Sequence, residues 1–201
     1  MGLPMGGYKY RVHQLSSALA RVQLKYYGGR CEEIRAGMNY FWDGLEGLAG
    51  IRAHRTPKDS GKNMAGWYAA RGLYKPEELE GLSVTRFCEA VQAEGVSACT
   101  PGANSPLHLH PLLNTCDIYG HGKPTRIANS QRDLRQPRGS LPVTEKLTSR
   151  IYSIPWFKHN RPAEIDSYIT AFRKVSENYK ELLAGDPGDP PDVGSWHFFD
   201  S

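Results

Sequence analysis

The sequence predicts an α/β fold in which a long N-terminal helix leads to a short sheet packed with helices. Three observations carry this. Apolar residues recur at helical spacing from about Arg11 to Leu48. A second amphipathic stripe, Ile165, Tyr168, Ile169, Phe172, Val175, Tyr179 and Leu182, marks a helix near the C-terminus. Between them, short strand-like and helix-like segments alternate in the order expected of a small layered domain.

The first element contains two stripes. Val12, Leu15, Leu19, Val22 and Tyr26 share one helical face; Tyr27, Cys31, Ile34, Met38, Phe41 and Leu45 share another, one residue out of phase. Each residue turns a helix by about 100°, so the apolar face rotates sharply between Tyr26 and Tyr27. Gly28 and Gly29 follow at once, each costing roughly 1 kcal/mol relative to alanine inside a helix. The two facts together predict a kink or break there, giving two helices or one bent one.

Residues 51–62 read as a loop after a short strand, and Met64–Leu73 as an aromatic-rich strand. Ser83 is placed to cap a helix whose inner face is Val84, Phe87, Cys88 and Val91, with Gly95 ending it. VSACT, residues 96–100, reads as a buried strand stopped by Pro101 and Gly102. Gly102–Gly139 has little periodicity, and a structureless run of that length is usually functional. A helix opening near Ser140, with Pro142 in its first turn, is expected to bury Val143, Leu147 and Ile151, ahead of a short SIPW strand. Asn160 and Pro162 open the last helix, which ends at Gly185. The resulting division is 1–50, a connecting helical segment; 51–183, a small α/β domain; and 184–201, a Pro/Gly-rich tail whose Trp196, Phe198 and Phe199 are expected to dock on a surface.

Composition narrows the function classes. The chain has 201 residues, 39% of them hydrophobic, with 25 basic against 21 acidic side chains. That mild excess of +4 lacks the clustered, aromatic-interleaved pattern of a nucleic-acid surface. Four cysteines at irregular spacing, without a CxxC pair, indicate neither a zinc knuckle nor a disulfide framework. With no apolar leader segment and no apolar run of about 18 residues, the expectation is a soluble, cytoplasmic protein without a membrane span.

Three segments, in order, go further. GYKYRVHQLSSALARVQL at 7–24, PLHLHPLL at 106–113 and LPVTEKLTSRIYSIPWFKHNRPAEIDSYITAFRKV at 141–175, with GWY at 66–68, resemble segments of the DegT/DnrJ/StrS sugar aminotransferases. In that family the corresponding patterns read GYNYRMSELQAAIGLAQL, PLHLQP and LP…E.L…..LSLP, and GWY falls where the family has a Trp-containing strand. The resemblance covers about residues 7–183. It implies the small C-terminal domain of a fold-type-I, pyridoxal-phosphate-dependent enzyme. Such an enzyme aminates a keto-sugar or keto-cyclitol with glutamate or glutamine as donor. The cofactor is the electron sink, held by a lysine as a Schiff base.

None of the ten lysines here stands in the family's Ser-x-x-x-Lys context before GYKYR. The resemblance therefore implies a chain inactive alone, which uses the cofactor only with a lysine-bearing large domain, as a homo- or hetero-dimer. The alternative is a non-catalytic dimerisation or regulatory module acting on an intact paralogue.

Carried over residue by residue, the cofactor-side candidates are Tyr8, Lys9 and Arg11. Lys9 stands where the family has an Asn that reaches the partner subunit's cofactor phosphate; the competing reading is an exposed lysine. Arg11 either pairs with an anion or caps the helix, and Tyr8, Tyr10, Trp67 and Trp156 also suit core or interface positions. On the substrate side stand His108 and His110. If their segment is a strand they face opposite ways, and His108 is the better choice for the cleft. A metal set of His108, His110, Cys116, Asp117 and His121 has suitable ligand types but no recognisable spacing. Asp186 and Asp189 read as a solvated acidic spot rather than a catalytic pair.

Overall fold

The computed structural model describes residues 12–102 and 105–191. Helix α1 spans Gln14–Gly44, followed by strands β1 (Ile51–Ala53) and β2 (Arg71–Tyr74) and helix α2 (Val84–Ala93). Then come the short helices α3 (Pro111–Asn114) and α4 (Pro142–Lys146), strand β3 (Ile151–Ser153), α5 (Pro162–Glu177) and the single turn α6 (Lys180–Leu183). No helix among the described residues is long and apolar enough to cross a membrane.

The expected break at Gly28–Gly29 does not divide the element: one helix of 31 residues runs through both glycines. Once a helix is nucleated, each further residue adds a hydrogen bond, so two glycines are tolerated inside a long run. The phase change has another origin. The second stripe, from Ile34 onward, is buried at Ile34, Met38, Phe41 and Leu45, whereas Val12, Leu15, Leu19, Val22 and Tyr26 are all at least 50% exposed. The helix packs on the described residues along its C-terminal half only, and its N-terminal half presents a different apolar face outward.

Two glycines let α1 approach α5 closely. A Cβ on Gly44 would overlap Ile169, and one on Gly37 would press on Phe157 and the His159 carbonyl. At the same crossing the Arg173 guanidinium donates to the Gly44 carbonyl at 2.9 and 2.6 Å, and the Ser176 hydroxyl donates to Ala49 at 2.8 Å. The Arg173 bonds satisfy a carbonyl that the end of α1 leaves without an intrahelical partner, and the Ser176 bond holds the turn that follows.

The sheet is antiparallel, in the order β1-β2-β3. Ile51 pairs with Tyr74 and Ala53 with Gly72, while Arg71 pairs with Ser153 and Gly72 with Tyr152. Alternation along β2 buries Gly72 and Tyr74. Their face meets α2 and α5 in an aromatic core: Phe87 lies 5.1 Å from Tyr74, 5.9 Å from Tyr152 and 6.2 Å from Phe172 between ring centroids. Such tilted and edge-on contacts add to the area buried.

Several sequence expectations shift here. The strand predicted over Met64–Leu73 begins only at Arg71, because residues 64–70 form tight turns that bury Trp67. VSACT is not a strand: it bends back through a Cys99–Val96 hydrogen bond, and a single bridge joins Pro101 to Tyr152. Pro101 has no N–H to extend a ladder. Val143 and Leu147 are exposed rather than buried, since α4 is one turn long and turns its charged side inward through Glu145. Strand β3 starts at Ile151, two residues before the expected SIPW. Ser83 does cap α2, accepting from the Arg86 amide at 3.1 Å, and Gly95 follows the helix end with φ +97°.

The acidic pair beyond α6 is a clamp, not a solvated spot. Asp186 accepts from the Ser83 amide and hydroxyl at 2.7 and 2.6 Å, and Asp189 accepts from the Thr85 amide and hydroxyl at 2.9 and 2.8 Å. Burial would raise the Asp186 carboxyl, but the bonds from Ser83 and Gly188 outweigh it and hold it below its ordinary value. Carboxylates at a helix N-terminus are also favoured by the exposed N–H groups and the dipole. Trp196, Phe198 and Phe199 lie outside the described residues.

Gly72 and Tyr152 give a paired test. A Cβ on Gly72 would overlap the Tyr152 ring, whereas the buried Tyr152 hydroxyl has no hydrogen-bond partner. Gly72→Ala should lose about 1–3 kcal/mol from overpacking. Tyr152→Phe, which deletes an unsatisfied group, should gain roughly 1 kcal/mol. Urea denaturation of both variants checks this, and equal effects in one direction would show that the ring contact is misassigned.

Candidate functional site

The segment predicted to carry function, Gly102–Gly139, is organised around His108 in its described residues. The expected extended run is a 3-10 turn over Leu107–Leu109 followed by α3, so the two histidines do not alternate and both are buried. Prolines on either side cause this: Pro106 precedes the turn, and Pro111, lacking an N–H, suits the first position of α3. His110 caps that helix, its Nδ1 accepting from the Leu112 amide at 3.0 Å.

His108 Nε2 lies 3.0 Å from Glu145 Oε1, both side chains being largely shielded from solvent. The same carboxylate accepts from the Gly139 amide at 2.8 and 2.9 Å and from the Leu141 amide at 3.2 Å. The Gly139 bond, the His108 ring and the Leu141 bond hold Glu145 below its ordinary value against the opposing effect of burial. An ionised carboxylate only accepts, so Nε2 carries the hydrogen between them. Glu145 thus ties the start of the loop to its end.

Asn114 reinforces the turn by donating from Nδ2 to the carbonyls of His108 at 2.6 Å and His110 at 3.1 Å. Its own carbonyl accepts from Arg135 Nη1 at 3.0 Å, and Arg135 forms a fork on Asp133, whose carboxyl is pulled down to about 2 by those bonds. Leu109, Asn114, Asp133, Arg135, Gln136 and Pro137 line an open cleft of about 440 Å³ beside this frame.

The metal alternative does not assemble. His108 is engaged by Glu145, His121 stacks on Tyr119 at 5.7 Å, and Asp117 accepts from the Gly120 and Gly122 amides. Among the described residues no three potential ligands converge.

The GWY turn is strained. Ala65 and Trp67 have φ of 45° and 54°, a region costly for residues with side chains, of order 1–3 kcal/mol each. Trp67 is buried, the next residue Tyr68 is fully exposed, and half-exposed Trp156 donates to the Gly66 carbonyl at 3.2 Å. Tyr8, Lys9, Tyr10 and Arg11 lie outside the described residues. Sequence reasoning had not singled out Glu145, Asn114 or Arg135. Of these, only Glu145 carried a readable signal, a carboxylate reaching back to amides at a helix start as in a capping box.

Comparison with known proteins decides the family. Residues 3–173 match the model of the DegT/DnrJ/EryC1/StrS aminotransferase family. The chain belongs to that family. The architecture agrees with solved aminotransferases at low identity. DesI, solved in the presence of its TDP-sugar product, is 18% identical with a TM-score of 0.59 over 90% of this chain and 40% of its own. An aminotransferase from Psychrobacter cryohalolentis is 19% identical with a TM-score of 0.62, covering 86% and 40%. DesV from S. venezuelae, in complex with a ketimine intermediate, is 20% identical with a TM-score of 0.54, covering 87% and 42%. This DegT/DnrJ/EryC1/StrS chain therefore spans about two fifths of the length of these structures. None of the lysines among its described residues is buried.

Glu145 is expected to govern the order of this family member's loop. Its carboxyl is depressed below the ordinary 4.5, so its contribution is complete above that value and is lost as pH falls through the lower folded value. Exchange protection at the Gly139 and Leu141 amides should follow that course, and Glu145→Gln should weaken it at neutral pH. Protection unchanged in the variant would remove Glu145 from this role.

Proposed function

We propose that this chain is the C-terminal portion of a pyridoxal-phosphate-dependent aminotransferase acting on a keto-sugar or keto-cyclitol, with glutamate or glutamine as donor. It is the small domain of a fold-type-I enzyme and works with a lysine-bearing large domain, in a dimer in the cytoplasm. The observation that carries this reading is the family match over 3–173, in a chain that spans about 40% of its structural neighbours and buries none of its described lysines. The outward apolar face from Val12 to Tyr26 supports it, because a continuous exposed apolar strip marks an association surface.

The cofactor, when bound to the assembly, supplies an electron sink. This chain's part is positioning. Lys9 reaches the cofactor phosphate across a subunit boundary, with Tyr8 and Arg11 beside it on the cofactor side, on the strength of the GYKYR pattern. His108 and His110 act on the substrate side by shaping the loop that Glu145 and Asn114 hold in place.

Two measurements test this. Incubation of the chain with pyridoxal phosphate, borohydride reduction and peptide mapping should show no lysine labelled stoichiometrically; one such lysine would make the chain a complete cofactor site. In an active assembly with the lysine-bearing domain, Lys9→Ala should weaken cofactor affinity by about one to two orders of magnitude, the worth of a charged hydrogen bond. Lys9→Asn should restore part of it. Unchanged affinity in Lys9→Ala would leave Lys9 a surface residue and end the carry-over from the family motif at this position.

A further inference from the structure

A second cleft, lined in part by Trp67 of the GWY turn, is not used by this reading. It has a volume of about 250 Å³ and lies between the C-terminal third of α1, at Arg35 and Asn39, and residues 56–67. Its lining includes three cations, Arg35, Lys58 and Lys62, and no acid. Counting the ion-pair partners just outside it, four cations (with Arg55) face two carboxylates, Glu32 and Asp43. Arg35 pairs with Glu32, and Asp43 draws in Lys58 at 2.9 Å and Arg55 at 2.6 Å, which leaves the Lys62 ammonium unpaired among the described residues. The Asn63 side-chain oxygen is taken by the Ala65 amide at 2.9 Å, so only its NH₂ remains to offer.

Trp67 forms part of the same wall. It is 2% exposed, and its indole N–H has no acceptor. A buried donor without a partner, in a native structure, calls for a specific explanation. The backbone that places it is held at positive φ on both sides of Gly66. Excess positive charge, a lining residue with an unpartnered buried donor and a strained frame meet at one concavity, a combination that stability alone does not favour and that an anionic ligand would offset.

We propose that this cleft binds the phosphoryl group of a small molecule, with Lys62 as its principal charged contact, Asn63 and Arg35 as further donors, and Trp67 as the wall that the group approaches. A tetrahedral, multiply charged oxyanion accepts from several directions at once, which suits donors arriving from both a helix and a loop. A planar carboxylate satisfies fewer of them. The proposal does not depend on aminotransferase activity.

The test is a titration of the ¹⁵N-labelled full chain with inorganic pyrophosphate at constant ionic strength, with glutamate as the carboxylate arm. Saturable shifts are expected at the amides of 56–67 and at the Trp67 indole N–H, assigned through Trp67→Phe, and not with glutamate. Lys62→Ala should weaken binding roughly tenfold, the fold-change of one charged hydrogen bond, with Lys62→Arg retaining most of it. Absence of saturable shifts at these signals, an equal response to glutamate, or unaltered affinity in Lys62→Ala would each overturn the proposal. Because none of these readouts involves pyridoxal phosphate or turnover, failure here leaves the aminotransferase reading to its own tests.

Discussion

The crossing of α1 over α5 at Gly44 is the constraint on which the remaining packing depends. Without a Cβ there, Ile169 seats against the α1 backbone, and the Arg173 guanidinium reaches the carbonyl that the helix end leaves open. The close approach brings Phe41 to 5.4 Å from Phe172 and 5.3 Å from Phe157, joining the end of α1 to the aromatic core over the sheet. Interiors are packed near crystal density, so an added methyl at such a point is felt through every layer it touches. The sheet is only three short strands wide, too small to be stable by itself, and takes its stability from this helical cover.

Long-range polar clamps do for the loops what the crossing does for the helices. Asp186 and Asp189 reach back about a hundred residues to the N-terminus of α2, and Glu145 joins His108 to Gly139 and Leu141. In each case a carboxylate accepts from two or more amide, hydroxyl or ring donors at once, which holds Asp186 and Glu145 below their ordinary range. A segment with little apolar content is thereby ordered without a core of its own. That is the arrangement expected where a rigid scaffold must present a loop to a ligand.

How much was legible in the sequence varied with the range of the interaction. Ser83 as a cap, Gly95 as a stop and the buried stripe of α5 depend on neighbours within a few residues, and each stood out from spacing alone. The glycine pair at 28–29 does not split α1 in two, because the local cost is carried by the length of the helix around it. VSACT misled because a short run with apolar Val96 and Cys99 has the same composition whether it is a strand or a turn that buries only those two. His108 and His110 were found, but their geometry was not, since flanking prolines replaced an extended run with tight turns. Asn114 and Arg135 left no trace in any pattern, because their partners are backbone carbonyls brought near only by folding.

By itself, then, the sequence determined the mixed α/β class, the helices with strong periodicity and the aminotransferase family, all of which rest on local spacing or on ordered motifs. Tertiary structure alone decided that one unbroken helix presents two apolar faces, that the distant acidic pair is a helix clamp, and that Glu145 fixes His108. The physical reason is that periodicity records which side of an element is apolar. It does not record what covers that side, nor which distant carboxylate will satisfy an exposed row of amides.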